Sequence, residues 1–292
     1  MKRIAVINDL SGLGKCSLTA AIPVISVMGV QACPFPTAIL SNQTGYASYY
    51  CDEYTDRMDI IMEEWEKRKF DPDGIYTGYL SDEQQVDKIL EFIRRFSGKK
   101  TKILVDPVMG DQGKIYAMYT QKLCEKMGLL IQKADVITPN LTEAMLLLYG
   151  EEKMYQEWEK LQGKSDAEYA VCVERMAVEL QRRNPSCSIV ITGVDRKEKN
   201  GREQIGNLLC RENEQKWYFA DKLGGSYSGT GDLFASVLSA DMVKGIPLEI
   251  SVKKAMYFLS DAIRDTVKEG CDRNDGVCFE TYLFKLAEDS YE

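Results

Sequence analysis

The apolar positions of this chain follow two alternating periods. Ile4-Ala5-Val6-Ile7, Ile103-Leu104-Val105, Val136-Ile137 and Ile189-Val190-Ile191 are short continuous apolar runs. Such runs read as strands buried on both faces, the habit of a parallel sheet. Between them, apolar residues recur every three or four positions. Val86, Ile89, Leu90, Ile93 and Phe96 form one stripe behind a Ser81-Asp82-Glu83 cap, and Val173, Met176, Ala177 and Leu180 form another. The spacing predicts helices over about Ser17–Met28, Asp52–Arg68, Gln121–Gln132 and Leu248–Glu269, and two helices across Glu151–Asn184 broken at Gly163. Strands are further expected near Gln31–Pro36 and Gly74–Leu80. After a polar turn at Lys197–Gly201, Gln204–Cys210 and Lys216–Ala220 alternate as a small antiparallel hairpin around Asn213-Glu214. Strands alternating with helices predict an α/β fold with a doubly wound, mainly parallel central sheet and helices on both faces. No repeat or linker interrupts the pattern, so residues 1–292 read as a single domain.

Polar turns end nearly every predicted strand: Asn8-Asp9, Ser41–Tyr46, Gly78-Tyr79, Asp106–Asp111, Thr138–Glu143 and Thr192-Gly193. Ligands of open α/β sheets bind at the carboxyl ends of strands. Gly229-Thr230-Gly231-Asp232 then opens an apolar-periodic helix that stops near Gly245-Ile246-Pro247. A helix start presents unpaired N–H groups and a partial positive charge, and glycines let an anion come close. Asp232 beside such a hole would repel a merely stored phosphate. It suits the removal of a proton from a hydroxyl that attacks phosphorus. Asp106, Asp111 and Glu143 are candidates to hold Mg²⁺ or its waters. Gly12-Leu13-Gly14-Lys15 imitates the end of a phosphate loop, but Asp9 stands where the first glycine belongs and Cys16 follows the lysine. A dinucleotide fingerprint fails as well, because Ser17 occupies its third glycine position.

Composition narrows the chemistry. The net charge of −8 argues against nucleic acid or an anionic membrane as the main partner. Histidine is absent, which removes Ser-His-Asp and Cys-His catalysis and His-ligated zinc. Nine cysteines without a C-x-x-C pair read as reduced thiols of a cytoplasmic protein. No apolar run reaches the ~18 residues of a membrane span.

Ser41-Asn42-Gln43-Thr44-Gly45-Tyr46, Thr77-Gly78-Tyr79-Leu80, Asp106-Pro107-Val108-Met109-Gly110-Asp111, Thr138-Pro139-Asn140-Leu141-Thr142-Glu143-Ala144 and Gly229-Thr230-Gly231-Asp232-Leu233-Phe234 together resemble the ribokinase superfamily. Within it, the first stretch and Tyr79 are most similar to the pyridoxal (vitamin B6) kinases. The resemblance covers nearly the full length. It implies ATP- and Mg²⁺-dependent phosphorylation of the 5′-hydroxymethyl group of a B6 vitamer by a homodimer, with a monovalent cation such as K⁺ as a further candidate cofactor. Asp232 would be the base, with Gly229, Thr230 and Gly231 as the anion hole. Asp9, Thr44 and Tyr79 would contact the substrate. Asp111, Tyr116, Asn140, Thr192 and Gly193, with Gly229 and Gly231, would address ATP, and Asp106, Asp111 and Glu143 the metal. Gly113–Tyr119 would lie in an ATP-covering loop, shorter here than in animal-type enzymes.

Two departures stand out. Asp9 replaces the usual serine, and Asn-Gln-Thr replaces a common Asn-His-Thr. Asp9-Leu10-Ser11-Gly12-Leu13-Gly14 is similar to the first turn of hydroxymethylpyrimidine kinases, although those usually carry cysteine where Asp232 stands. That activity is the alternative, and a non-catalytic nucleotide-binding protein on the same fold is another.

Overall fold

The computed structural model describes residues 1–197, 201–212 and 214–287. The chain begins with β1 (Arg3–Ser11), α1 (Ser17–Val27), β2 (Gln31–Leu40), β3 (Cys51–Glu53), α2 (Thr55–Lys67), β4 (Gly74–Thr77), α3 (Glu83–Phe96) and β5 (Lys102–Val105). It continues with β6 (Gly110–Asp111), β7 (Lys114–Ile115), α4 (Gln121–Leu130), β8 (Val136–Ile137), α5 (Leu141–Tyr149), α6 (Glu151–Gln162) and α7 (Asp166–Arg183). β9 (Ser188–Lys197), β10 (Glu203–Arg211), β11 (Glu214–Asp221), α8 (Thr230–Lys244), α9 (Leu248–Glu269) and α10 (Phe284–Ala287) follow. Residues divide into two compact units, Met1–Leu104 with Leu223–Glu292, and Val105–Lys222.

In the first unit the strands run β5-β4-β1-β2-β3. β1 pairs in parallel with both β2 and β4, and β3 closes the edge antiparallel to β2. Every residue of β4 is buried, and so are Ile4 to Asp9 in β1. Consecutive burial means that both faces are covered, as the unbroken apolar runs require. α8 and α9 pack against each other through the buried ion pair Lys254–Asp241, 3.0 Å between charged atoms.

In the second unit the order is β8-β9-β10-β11. β8 and β9 are parallel; β10 is antiparallel to both β9 and β11. The expected hairpin is therefore present, with Arg211 opposite Glu214, while Asn213 lies outside the described residues. So do residues 198–200 of the expected polar turn.

The Asp52–Arg68 expectation needs correction. Cys51–Glu53 is a strand, and the helix starts only at Thr55. Leu40 and Ala38 pair with Cys51 and Glu53, so an available sheet edge outcompetes the helical propensity of that acidic stretch.

Candidate active site

In the first unit, β1, β4, the turn into α1 and the start of α8 bring polar groups to one carboxylate. Asn8 donates from Nδ2 to Asp232 Oδ1 at 3.0 Å, and Tyr76 donates its hydroxyl to the same oxygen at 3.4 Å. The Ser17 N–H also points at this carboxylate. Ser17 has φ 52° and Lys15 has φ 46°, left-handed values that are strained for side chains of this kind. The chain thus carries strain where it turns an N–H towards Asp232.

Gly229 caps α8 in the left-handed conformation, φ 79°. A Cβ there would stand 2.1 Å from the Lys15 carbonyl oxygen. Only glycine lets this turn lie against the Lys15-Cys16 turn. The N–H groups of Thr230, Gly231 and Asp232 open the helix, where no intrahelical acceptor exists, a geometry that favours a nearby anion. Thr230 donates its hydroxyl back to the Tyr227 carbonyl at 3.2 Å, so its side chain braces the loop.

Burial raises Asp232 from an ordinary 3.8 to about 6, against the opposing bonds from Ser17, Asn8 and Tyr76; the charge of Asp9 adds to the rise. A carboxylate near 6 is charged at neutral pH yet holds an accepted proton better than a free carboxylate does. Cys16, beside Asp232 and Asp9, is pushed up to about 12 by burial first and their charges second, so it stays a thiol.

Asp9 is 5% exposed and accepts from Ser11 Oγ at 2.8 Å. Its burial lifts it above the usual carboxylate range, and the Ser17 and Ser11 hydroxyls oppose the rise. Tyr79 is held by its backbone, donating N–H to Asn8 Oδ1 at 2.8 Å, and burial followed by nearby acidic groups keeps its phenol protonated. Thr44 is exposed on the loop after β2. That loop is fixed by Gln43, whose Oε1 accepts from Gly45 N–H at 2.6 Å.

Sequence reasoning missed Asn8, Ser17 and Tyr76 as partners of the Asp232 carboxylate. Asn8 is fully buried and bonds to Asp9 N–H, Tyr79 N–H and Asp232 together. A polar residue ending an apolar run was its only signal. Gly78 makes room for it: a Cβ there would lie 2.3 Å from the Asn8 amide nitrogen.

The second unit holds the other predicted residues. Asn140 caps α5, accepting from Glu143 N–H at 3.1 Å, while Glu143 Oε2 accepts from Asn140 N–H at 2.9 Å. Glu143 Oε1 accepts from Met109 N–H at 3.2 Å, and Asn140 Nδ2 donates to the Gly110 carbonyl at 2.7 Å. Asp106 accepts from Thr138 Oγ1 at 3.0 Å. Burial, then the charges of Asp106 and Asp111, hold Glu143 well above its ordinary range. These mutually repelling carboxylates offer the hard oxygen donors that Mg²⁺ takes, and a cation would relieve their repulsion. Their oxygens do not all lie within 4.8 Å of one another; among the described residues the only group of three or more that does is Glu269, Cys271 and Cys278.

Thr192 bridges Asn140 in parallel, and Gly193 donates N–H to Asn207 Oδ1 at 3.4 Å from a φ of 66°. Tyr116 is 42% exposed. The Gly113–Tyr119 segment begins as the second strand of a tight hairpin, with β6 against β7. Gly113 donates N–H to Thr142 Oγ1 at 2.8 Å and packs against Trp158, where a Cβ would stand 2.5 Å from the ring.

The fold is ribokinase-like, and the protein is a phosphotransferase acting on an alcohol group. Comparison with known proteins narrows this. The phosphomethylpyrimidine kinase family matches residues 17–276, and the chain belongs to that family. A candidate phosphomethylpyrimidine kinase of Bacteroides thetaiotaomicron, crystallised with pyridoxal, is 34% identical over 100% of this chain and 97% of its own, with a TM-score of 0.88. Pyridoxal kinase of Lactobacillus plantarum is 28% identical over 98% of this chain and 96% of its own, with a TM-score of 0.84. Pyridoxal kinase of Dictyostelium discoideum is 24% identical over 86% of this chain and 81% of its own.

Proposed function

We propose that this protein transfers the terminal phosphoryl group of ATP to the 5′-hydroxymethyl group of a B6 vitamer, pyridoxal being the first choice. The observation that carries this reading is Asp232, lifted to about 6 beside the first N–H groups of α8. An alcohol is too weak an acid to be ionised beforehand, so Asp232 takes its proton as the new P–O bond forms. Asn8, Tyr76 and Ser17 hold the carboxylate in place for that transfer, and the α8 N–H groups stabilise charge on the moving phosphoryl group. Asp9 and Tyr79 offer an acceptor and a phenol to the polar edge of a hydroxypyridine, and Thr44, on the loop after β2, would add a hydroxyl. The pyridoxal bound to the Bacteroides relative supports this choice.

On the same reading, residues 1–292 work as one kinase domain. Asp111, Asn140, Thr192, Gly193 and Tyr116 serve ATP, with Gly229 and Gly231 at its terminal phosphate. Asp106, Asp111 and Glu143 would hold Mg²⁺ or its waters, and the ion would supply charge neutralisation on the phosphates. A monovalent cation, a homodimer and a cytoplasmic address complete the proposal; the nine unbridged cysteines agree with a reducing compartment. No helix among the described residues is long and apolar enough to cross a membrane.

The test is ADP release with ATP and Mg²⁺ against pyridoxal, pyridoxine, pyridoxamine and hydroxymethylpyrimidine in parallel. The highest kcat/KM should fall on a B6 vitamer. Preference for hydroxymethylpyrimidine would transfer the assignment to the thiamine precursor, and no turnover with any of them would remove it.

A further inference from the structure

The segment after α9, Cys271 to Cys278, lies against the substrate-side turns of the first unit. Arg273 accepts from Ser228 N–H at 3.0 Å, just before the anion-hole glycines. Gln43 donates from Nε2 to Asn274 Oδ1 at 3.0 Å, and Tyr46 donates its hydroxyl to Asp275. Gly276 packs on the strained first turn, where a Cβ would stand 2.6 Å from the Gly14 carbonyl oxygen. The segment therefore grips both flanks of Thr44 and the loop leading into α8.

Its two ends are cysteines whose sulfurs are 3.5 Å apart, and both are partly exposed. The Lys15 ammonium stands 3.8 Å from Cys278 Sγ and also pairs with Glu280. The thiolate is the form that attacks disulfides; burial first and the Cys271 hydrogen bond next hold the Cys278 thiol above its ordinary range, and the Lys15 cation opposes them. Glu269 completes a three-donor group with the two sulfurs, but a metal cation there would face the Lys15 ammonium. Thiol exchange fits the charges better than metal binding.

We propose that Cys271 and Cys278 are a redox-active pair that closes to an intramolecular disulfide by exchange with a small disulfide such as oxidised glutathione, tightening the acceptor-binding segment. The Cys278 thiolate, having lost its proton to solvent, attacks one sulfur of the small disulfide and expels the first small thiolate. Cys271 then loses its proton and attacks Cys278 Sγ, expelling the second. Two protein thiols are oxidised by two electrons, and one small disulfide is reduced to two thiols. Closure ties the ends of the segment that already bonds Gln43 and Tyr46, so it pre-organises the acceptor side. This coupling rests on the proposed function; closure itself does not.

The experiment incubates the native protein with oxidised glutathione, quenches, alkylates after denaturation and maps the peptides by mass. A Cys271–Cys278 disulfide is expected, together with accumulation of a glutathione mixed disulfide on Cys278 in Cys271→Ser. Both residues remaining alkylatable thiols would overturn the proposal. So would a wild-type pair that resists glutathione but loses alkylation when Zn²⁺ alone is added, since that marks a metal site. In kinetics, the oxidised protein should show an acceptor KM lowered about five-fold, restored by reductant and absent in Cys271→Ser, with the ATP KM unchanged. A disulfide that forms and leaves the acceptor KM as it was would refute the coupling. Absence of turnover in the reduced protein would instead count against the kinase assignment, and the peptide map would still decide on closure.

Discussion

Asp232→Asn should cost activity and add stability at once, and both follow from the same carboxylate. Folding raises this group from 3.8 to about 6, so the folded protein binds its proton more tightly than the unfolded chain does. With respect to this group, stability is greatest below 3.8, falls as pH rises towards about 6, and is flat above. At neutral pH the penalty for keeping the charge is at most about 3 kcal/mol, the rise multiplied by ~1.4 kcal/mol per unit. Partial exposure to solvent reduces that figure, so removal of the charge should stabilise by about 1–3 kcal/mol, or roughly 2–5 °C in Tm for a chain of this length. The gain should be about half as large at pH 5 as at pH 7.5, because the wild-type group is then mostly protonated in the folded state. Loss of the base should lower kcat by roughly 10²–10⁴ with little change in ATP binding, and Asp232→Ala should do the same. Wild-type kcat/KM should decline about ten-fold per pH unit below about 6. Steady-state ADP release and thermal unfolding at the two pH values measure everything needed. Near-normal turnover in Asp232→Asn, or a variant destabilised at pH 7.5 and not at pH 5, would refute the reasoning.

Asn8→Asp keeps an acceptor for the Asp9 and Tyr79 N–H groups but sets a second negative charge beside Asp232. The acid limb of kcat/KM should move up by about 1 unit or more, and an unchanged profile would deny Asn8 its hold on the base. In Gly229→Ala, the new Cβ meets the Lys15 carbonyl and φ 79° disfavours it, so kcat/KM should fall ~10²-fold or more while circular dichroism stays that of a folded protein. Asp241→Ala leaves the Lys254 ammonium buried without its partner and should cost about 3–5 kcal/mol in urea unfolding; a loss below about 1 kcal/mol would show that the pair is not desolvated as described.

Much of this protein could be read from local pattern. The bounds of α9 match the expected Leu248–Glu269, the break at Gly163 separates α6 from α7, and the Asn140/Glu143 capping box falls in the expected polar turn Thr138–Glu143. These features depend on periodicity and on residues within one helical turn of each other, information that lies contiguous in the chain. The glycines and the carboxylate at 229–232 were legible for the same reason. The strand at Cys51–Glu53 was not, because it exists only through pairing with β2.

Tertiary structure alone decided what surrounds Asp232. Asn8 and Tyr76 reach it from 224 and 156 residues away in sequence, and neither carries a local mark of that role. Ser17 turns its N–H inward only because packing sustains a left-handed φ that its own preferences resist. The rise to about 6 arises mainly from burial, and the meeting of Cys271 with Cys278 and Lys15 comes from the path of a loop. Periodicity dictates which segments fold into helices and strands. The strength of a base and the company of a thiol depend on the dielectric and charge around them, which exist only once distant segments have packed.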